Sequence, residues 1–112
     1  MRRHIDAIRR VRVVHDYAYD IDKLLQEKLS MMAERCAMVL DVGQSTRHRR
    51  NLFEATRFET MDINCGDPPP DIIDDICAPG RIEANRYDGV VCLSVLEHVY
   101  DPFAAIDSIH RL

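Results

Sequence analysis

The chain has no apolar run approaching the length of a membrane span, and its N-terminus lacks the apolar centre of a signal peptide. A cytoplasmic protein without a membrane partner is therefore expected. Its four cysteines, Cys36, Cys65, Cys77 and Cys92, show no CxxC or paired spacing, and His98 stands too far from them in sequence to complete a zinc cluster. Reduced thiols in the core are the reading that follows. No internal repeat or low-complexity tract is present, which sets aside solenoids and linkers. GxGxxG is also absent, and that argues against a nicotinamide-dependent dehydrogenase.

What remains is the composition of a packed globular chain. Of 112 residues, 46% are hydrophobic and 30% charged, enough for one small α/β domain and too few for a separate substrate domain. The formal charge of -4 is unevenly spread: Arg2, Arg3, Arg9, Arg10 and Arg12 face Asp6 alone in the first fifteen residues, and acids predominate afterwards. Five arginines without interleaved aromatics read as a solvated helix face, so no nucleic-acid partner is expected.

The first third has helical periodicity. Ile21, Leu24, Leu25, Leu29 and Met32 recur at steps of three and four, with Asp22, Lys23, Glu27 and Glu34 on the other side. Asp16 or Asp20 would cap this helix, and Ile5, Ile8 and Arg12 suggest a shorter one before it. From Ala37 the period changes. Met38-Val39-Leu40, closed by Asp41-Val42-Gly43, reads as a buried parallel strand stopping at a turn. A second strand runs from Phe58 and ends near Asp62, before a turn-rich stretch with three consecutive prolines. Ile72-Ile73 is a third, and Tyr87 to Ser94 a fourth. Pro102 fits the first turn of a closing helix capped by Asp101, with Phe103, Ile106 and Ile109 toward the core. Strands interleaved with helices and loops predict a mostly parallel sheet of about four strands.

Ligands of such sheets bind beyond the carboxyl ends of the strands. That directs attention to Asp41 through Thr46, Asp62-Ile63, Asp74-Asp75 and Ser94 through His98. A glycine at 43 lets backbone approach a ligand, and a carboxylate at 62 can accept two hydrogen bonds from a ribose diol. A nucleoside-bearing cofactor is the inference.

These segments, taken in order, resemble a known family. Val39-Leu40-Asp41-Val42-Gly43, Thr60-Met61-Asp62-Ile63, Pro70 through Ile76, and Tyr87 through Pro102 with its Leu96-Glu97-His98-Val99 look like successive motifs of class I S-adenosylmethionine-dependent methyltransferases, of the type 11 or type 23 kind. The resemblance implies a partial Rossmann-like methyltransferase fold over residues 37–112, preceded by a helical cap over 1–36 and ending after the fourth strand and its following helix. It implies S-adenosyl-L-methionine as cofactor, with a small molecule as methyl acceptor. Asp41 and Gly43 would shape the loop beside the methionine part, Asp62 would hold the ribose and Ile63 would pack on the adenine. Asp75 would accept from the adenine amino group and Ile76 would donate its backbone N–H to the ring. Leu93 and Ser94 would line the floor under the sulfonium. Glu97 and His98 would face the substrate, with His98 the candidate base.

Two departures from the family pattern carry expectations of their own. Gln44-Ser45-Thr46-Arg47-His48-Arg49-Arg50 replaces the usual further glycines, so Arg47 or Arg49 could pair with the cofactor carboxylate. Some relatives hold a divalent metal through Glu-x-x-Glu-His, but here Ser94-Val95-Leu96-Glu97-His98 offers one carboxylate too few, and no metal is predicted. The alternative is a non-catalytic methyltransferase-like module working through dimerisation or partner binding. It rests on an apolar strand edge at Val90-Val91-Cys92 left open to another chain.

Overall fold

Strand β1, Met38–Val42, is the centre of the sheet because both of its faces are apolar or satisfied: Val39, Leu40, Asp41 and Val42 are all buried. Its start is fixed by Asp88, whose Oδ2 accepts from the N–H groups of Ala37 at 3.0 Å and Met38 at 2.9 Å. The computed structural model describes residues 20–112. The short helix expected around Ile5, Ile8 and Arg12, the arginine-rich arm and the Asp16 cap lie outside the described residues. Two compact units divide the chain, Met1–Met31 and Met32–Leu112. Helix α1 covers residues 20–35. Within it the predicted stripe holds only in part: Leu29 is buried, whereas Ile21 and Leu24 are exposed.

In the second unit β1 is followed by a 3-10 helix, Arg47–Phe53, interrupted at Arg49, then by β2 (Arg57–Asp62), β3 (Ile72–Ile73), β4 (Gly89–Cys92) and helix α2 (Pro102–Arg111). The four strands form a parallel sheet in the order β3-β2-β1-β4. Starting at a central strand, moving outward on one side and then crossing to the other is the order of the first half of a doubly wound sheet, so this α/β architecture is consistent with a Rossmann-like fold. The crossing matters for function, because it leaves a crevice beyond the carboxyl ends of β1 and β4.

Parallel register puts paired residues on the same face. Leu40 pairs with Glu59 and Val90, and Val42 with Met61 and Cys92; this face carries Ile76, Cys77, Ala105 and Leu112 in one core cluster. The opposite face carries Val39 and Val91, with Phe58 packed on Phe53 at a centroid distance of 4.8 Å and the Arg50 guanidinium 4.2 Å over the Phe58 ring. Gly89 sits where a side chain would strike Cys36 Sγ at 2.9 Å, so the segment before β1 packs directly on β4.

Helix α2 begins as expected, with Pro102 in its first turn and the Asp101 side chain accepting from Ala104 N–H at 3.0 Å. Its buried face matches the predicted one only at Ile109, which packs against the core cluster. Phe103 is 84% exposed and Ile106 is exposed too, while Ala105, Ser108 and Leu112 are buried, Ala105 and Leu112 in the core cluster with Leu40, Val42 and Met61. Small side chains allow close approach of helix and sheet, and the capped start sets the phase that brings them inward. At the far end the helix carbonyls find partners outside it: Asn85 N–H donates to Arg111 O at 2.8 Å and Tyr87 N–H to Leu112 O at 2.9 Å. The Tyr87 hydroxyl donates to Glu59 at 2.7 Å, and burial together with that carboxylate pushes the phenol up to about 12. None of the helices among the described residues is long and apolar enough to cross a membrane.

Candidate functional site

Beyond the carboxyl ends of β1, β2 and β3, and against the segment after β4, lies a cavity of about 400 Å³. It brings together Gly43, Asp62, Ile63, Asp75, Ile76, Ser94 and His98 from four separate stretches of sequence. Each stretch leaves its strand at a turn, so the parallel sheet itself assembles the site.

The β1 turn is built on Asp41. This carboxylate is fully buried; Oδ2 accepts from the Thr46 hydroxyl at 2.6 Å and from Thr46 N–H at 3.0 Å, and Oδ1 from the Ser45 hydroxyl at 3.3 Å. Asp41 therefore does not line the cavity but ties down the loop that does. Within that loop Gly43 has φ 85° and Gln44 φ 54°, both left-handed. A Cβ on Gly43 would lie 2.6 Å from Val95 Cγ2, so glycine answers two demands at once, the backbone angle and the close approach of the segment after β4.

At the end of β2, Asp62 spends Oδ1 on Asn64 N–H at 3.2 Å, and Ile63 projects 61% exposed at the rim. After β3, Asp74 accepts from the N–H groups of Asp75 at 2.8 Å, Gly80 at 3.0 Å and Arg81 at 2.8 Å. Burial pushes its carboxyl up, but these donors and the Arg81 charge outweigh it and hold the group below the ordinary value of 3.8. Asp75 repeats the device on a smaller scale, taking Cys77 N–H at 2.9 Å, which leaves Ile76 buried between two anchored residues.

Past β4, Ser94 adopts φ 55°, a strained value for a residue with a side chain, at the point where the chain turns along the cavity. His98 N–H closes a turn onto Val95 O at 2.9 Å. Its imidazole is 78% exposed, and Nε2 stands 3.9 Å from Glu97 Oε1, too far for a hydrogen bond. Leu93 is not among the lining residues, nor are Glu97, Arg47 and Arg49; Arg50 is engaged with Phe58.

Met61, Asn64, Asp74, Val95, Val99 and Tyr100 also line the cavity. Asp74 stands in the stretch after the third strand to which the sequence pointed, whereas Val99 and Tyr100 sit in an irregular segment that no periodicity marks. The lining carries carboxylates from Asp62, Asp74 and Asp75 and no lysine or arginine. Such a wall suits a neutral or cationic ligand with hydroxyl and amino donors, and opposes a pyrophosphate. No group of three or more metal-ligating side chains occurs among the described residues. Comparison with protein-family models, with curated proteins and with solved structures finds no match for this chain.

Proposed function

We propose that the cavity binds S-adenosyl-L-methionine and that the domain transfers its methyl group to a small molecule, in the manner of the class I methyltransferases its motifs resemble. The observation that carries this reading is the convergence of Gly43, Asp62, Ile63, Asp75, Ile76, Ser94 and His98 in one cavity at the carboxyl ends of parallel strands. The residues fit the ligand in kind. Asp62 keeps acceptor capacity for ribose hydroxyls after its bond to Asn64. Ile63 offers an exposed apolar surface for a base. The N–H groups on either side of Ile76 are taken by carboxylates, leaving its own N–H for a ring nitrogen.

When bound, S-adenosyl-L-methionine supplies a methyl carbon made electrophilic by its sulfonium, so the acceptor's lone pair forms the new bond to carbon while the carbon–sulfur pair returns to sulfur. The protein's part is orientation and proton handling. The turn at Gly43 and the wall at Ser94 and Val95 set the line of approach, which accounts for much of the rate in a displacement of this kind. His98, at the solvent side, takes the proton that a hydroxyl or amine acceptor loses.

Calorimetric titration of the chain with S-adenosylmethionine and with S-adenosylhomocysteine tests the reading. Saturable binding, weakened several-fold or more by Asp62→Ala, is the expected result. A folded sample that binds neither compound refutes it.

One feature favours the second reading, a module that works by pairing with another chain. β4 is hydrogen-bonded on one side to β1, so the backbone groups that alternate with those of this ladder turn to its outer edge. Among the described residues no strand lies along that outer edge. Sedimentation equilibrium over a concentration series tests this reading: self-association supports it, and a monomer throughout removes it.

A further inference from the structure

Asp74 holds the two ends of the loop after β3 together. Its Oδ1 accepts from Asp75 N–H at 2.8 Å and Gly80 N–H at 3.2 Å, and its Oδ2 accepts from Gly80 N–H at 3.0 Å and Arg81 N–H at 2.8 Å. One carboxylate therefore joins the residue that opens the loop to the two that close it. Between them, Cys77 N–H donates to Asp75 Oδ1 at 2.9 Å and Ala78 N–H to Asp75 O at 3.1 Å. Pro79 has no N–H to place. The exception is Ile76, which is buried against the cavity and whose N–H has no acceptor among the described residues.

Asp74 lines the cavity, yet a carboxylate has only about four lone-pair sites and the loop's own N–H groups occupy both of its oxygens. It acts on the protein and not on a ligand. The next two residues are in the opposite position: Asp75 keeps acceptor capacity after its bond to Cys77, and Ile76 holds an unclaimed donor. An acceptor side chain and a backbone donor on consecutive residues match a base edge that presents an amino group beside a ring nitrogen. Such a pair reads a base well only if its geometry is fixed beforehand, because a loop that has to be ordered by its ligand loses affinity in doing so.

We propose that Asp74 is the positioning residue for base recognition: by closing the loop of residues 75–81 through its side chain, it presets the Asp75 carboxylate and the Ile76 N–H for a purine that carries an amino group. This rests on the nucleoside reading given above and extends it to a residue that touches no ligand. Sugar recognition is independent of the Asp74 side chain. The link from this loop to the end of β2 is a backbone bond, Asp74 N–H to Asp62 O at 3.1 Å, which a change of side chain leaves in place.

The test is calorimetric titration of the wild-type chain and Asp74→Asn with adenosine, with purine riboside, which lacks the 6-amino group, and with 2′-deoxyadenosine. Asparagine is close to aspartate in shape but accepts through one oxygen only, and folding is checked by circular dichroism. The adenosine to purine riboside affinity ratio is expected to fall about threefold or more in Asp74→Asn, while the adenosine to 2′-deoxyadenosine ratio stays within about twofold. In the ligand-free variant, the amides of Cys77 and Ala78, which do not bond to Asp74, should lose hydrogen-exchange protection together with those of Gly80 and Arg81. A base ratio that is unchanged, a sugar ratio that falls with it, or Cys77 and Ala78 amides that keep their protection overturns the positioning role and leaves the nucleoside site standing. The wild-type chain supplies a check that needs no variant: held by one carboxylate, the Asp75, Gly80 and Arg81 amides should share one protection factor, and separate factors overturn the proposal. If no probe saturates the folded wild-type chain, the nucleoside reading fails and this inference fails with it.

Discussion

Asp41 offers the sharpest test of how the site is held. Replacing it by alanine removes an acceptor from the Thr46 hydroxyl and N–H and from the Ser45 hydroxyl, at a position where Asp41 and Thr46 are both fully buried. Hydrogen bonds to a charged acceptor contribute about 1.5–3 kcal/mol each, and donors left buried without a partner keep their desolvation cost. The two bonds from Thr46 dominate, since the Ser45 contact is long. The expected loss is about 3–5 kcal/mol, a large part of the roughly 5–15 kcal/mol that holds a domain of this size together. In urea denaturation followed by circular dichroism, with a slope of about 1–3 kcal/mol/M, the midpoint should fall by about 2 M. Asp41→Asn, which keeps one carbonyl acceptor, should fall about half as far. A double cycle with Thr46→Val should recover a coupling of about 1 kcal/mol or more. An Asp41→Ala midpoint within about 0.5 M of wild type at unchanged slope would refute the reasoning, and with it the view that this carboxylate organises the β1 loop.

Further predictions follow from the same geometry. Gly43→Ala should destabilise by about 1–3 kcal/mol in the same urea assay, and adding Val95→Ala should restore only part of it, because removing the clash leaves the positive φ. Asp74 and Glu59 both have folded values below their ordinary 3.8 and 4.5: burial raises each, and hydrogen bonds from N–H groups to Asp74, or from Tyr87 and Arg86 to Glu59, outweigh it. Their contribution is therefore present above pH 4.5 and lost as pH falls through the lowered values, so Asp74→Asn should flatten the fall in urea midpoint between neutral and acid pH. Ser108 is buried with no partner for its hydroxyl, and Ser108→Ala should leave thermal stability unchanged or raise it; a clear drop in Tm would show that the hydroxyl is satisfied by bound water.

Much of this fold was legible because the sheet is parallel. Buried strands with short apolar runs, each closed by Asp, Gly or Ser, announce both the strand and the place where a ligand can sit. Residues 43, 62, 63, 75, 94 and 98 follow such strand ends, whereas Ile76 was named only through the family resemblance; all of them line the cavity. Asp41 was named with them, but the next residues supply three donors to its own side chain, a competition that composition does not reveal. Leu93 was expected on the floor of the site, yet β4 ends at Cys92 and Leu93 falls outside the cavity. The closing helix misled for a different reason. Hydrophobic spacing selects Phe103, Ile106 and Ile109, of which only Ile109 packs on the core, whereas the buried positions include Ala105 and Ser108, whose side chains carry little hydropathic signal. Tyr100 lay inside the last motif, Tyr87 through Pro102, but nothing in its spacing marked it as a lining residue.

The bonds from Asn85 and Tyr87 to the last carbonyls of α2 have a consequence for how the domain breathes. A helix end ordinarily frays on its own, exchanging its terminal partners with water. Here each fraying event also releases the approach to β4, on which Glu59 and the central strand lean. Local opening at the helix end and loosening of the edge strand are thus one motion, and in hydrogen–deuterium exchange the amides of Asn85 and Tyr87 should report that shared event with a common protection factor.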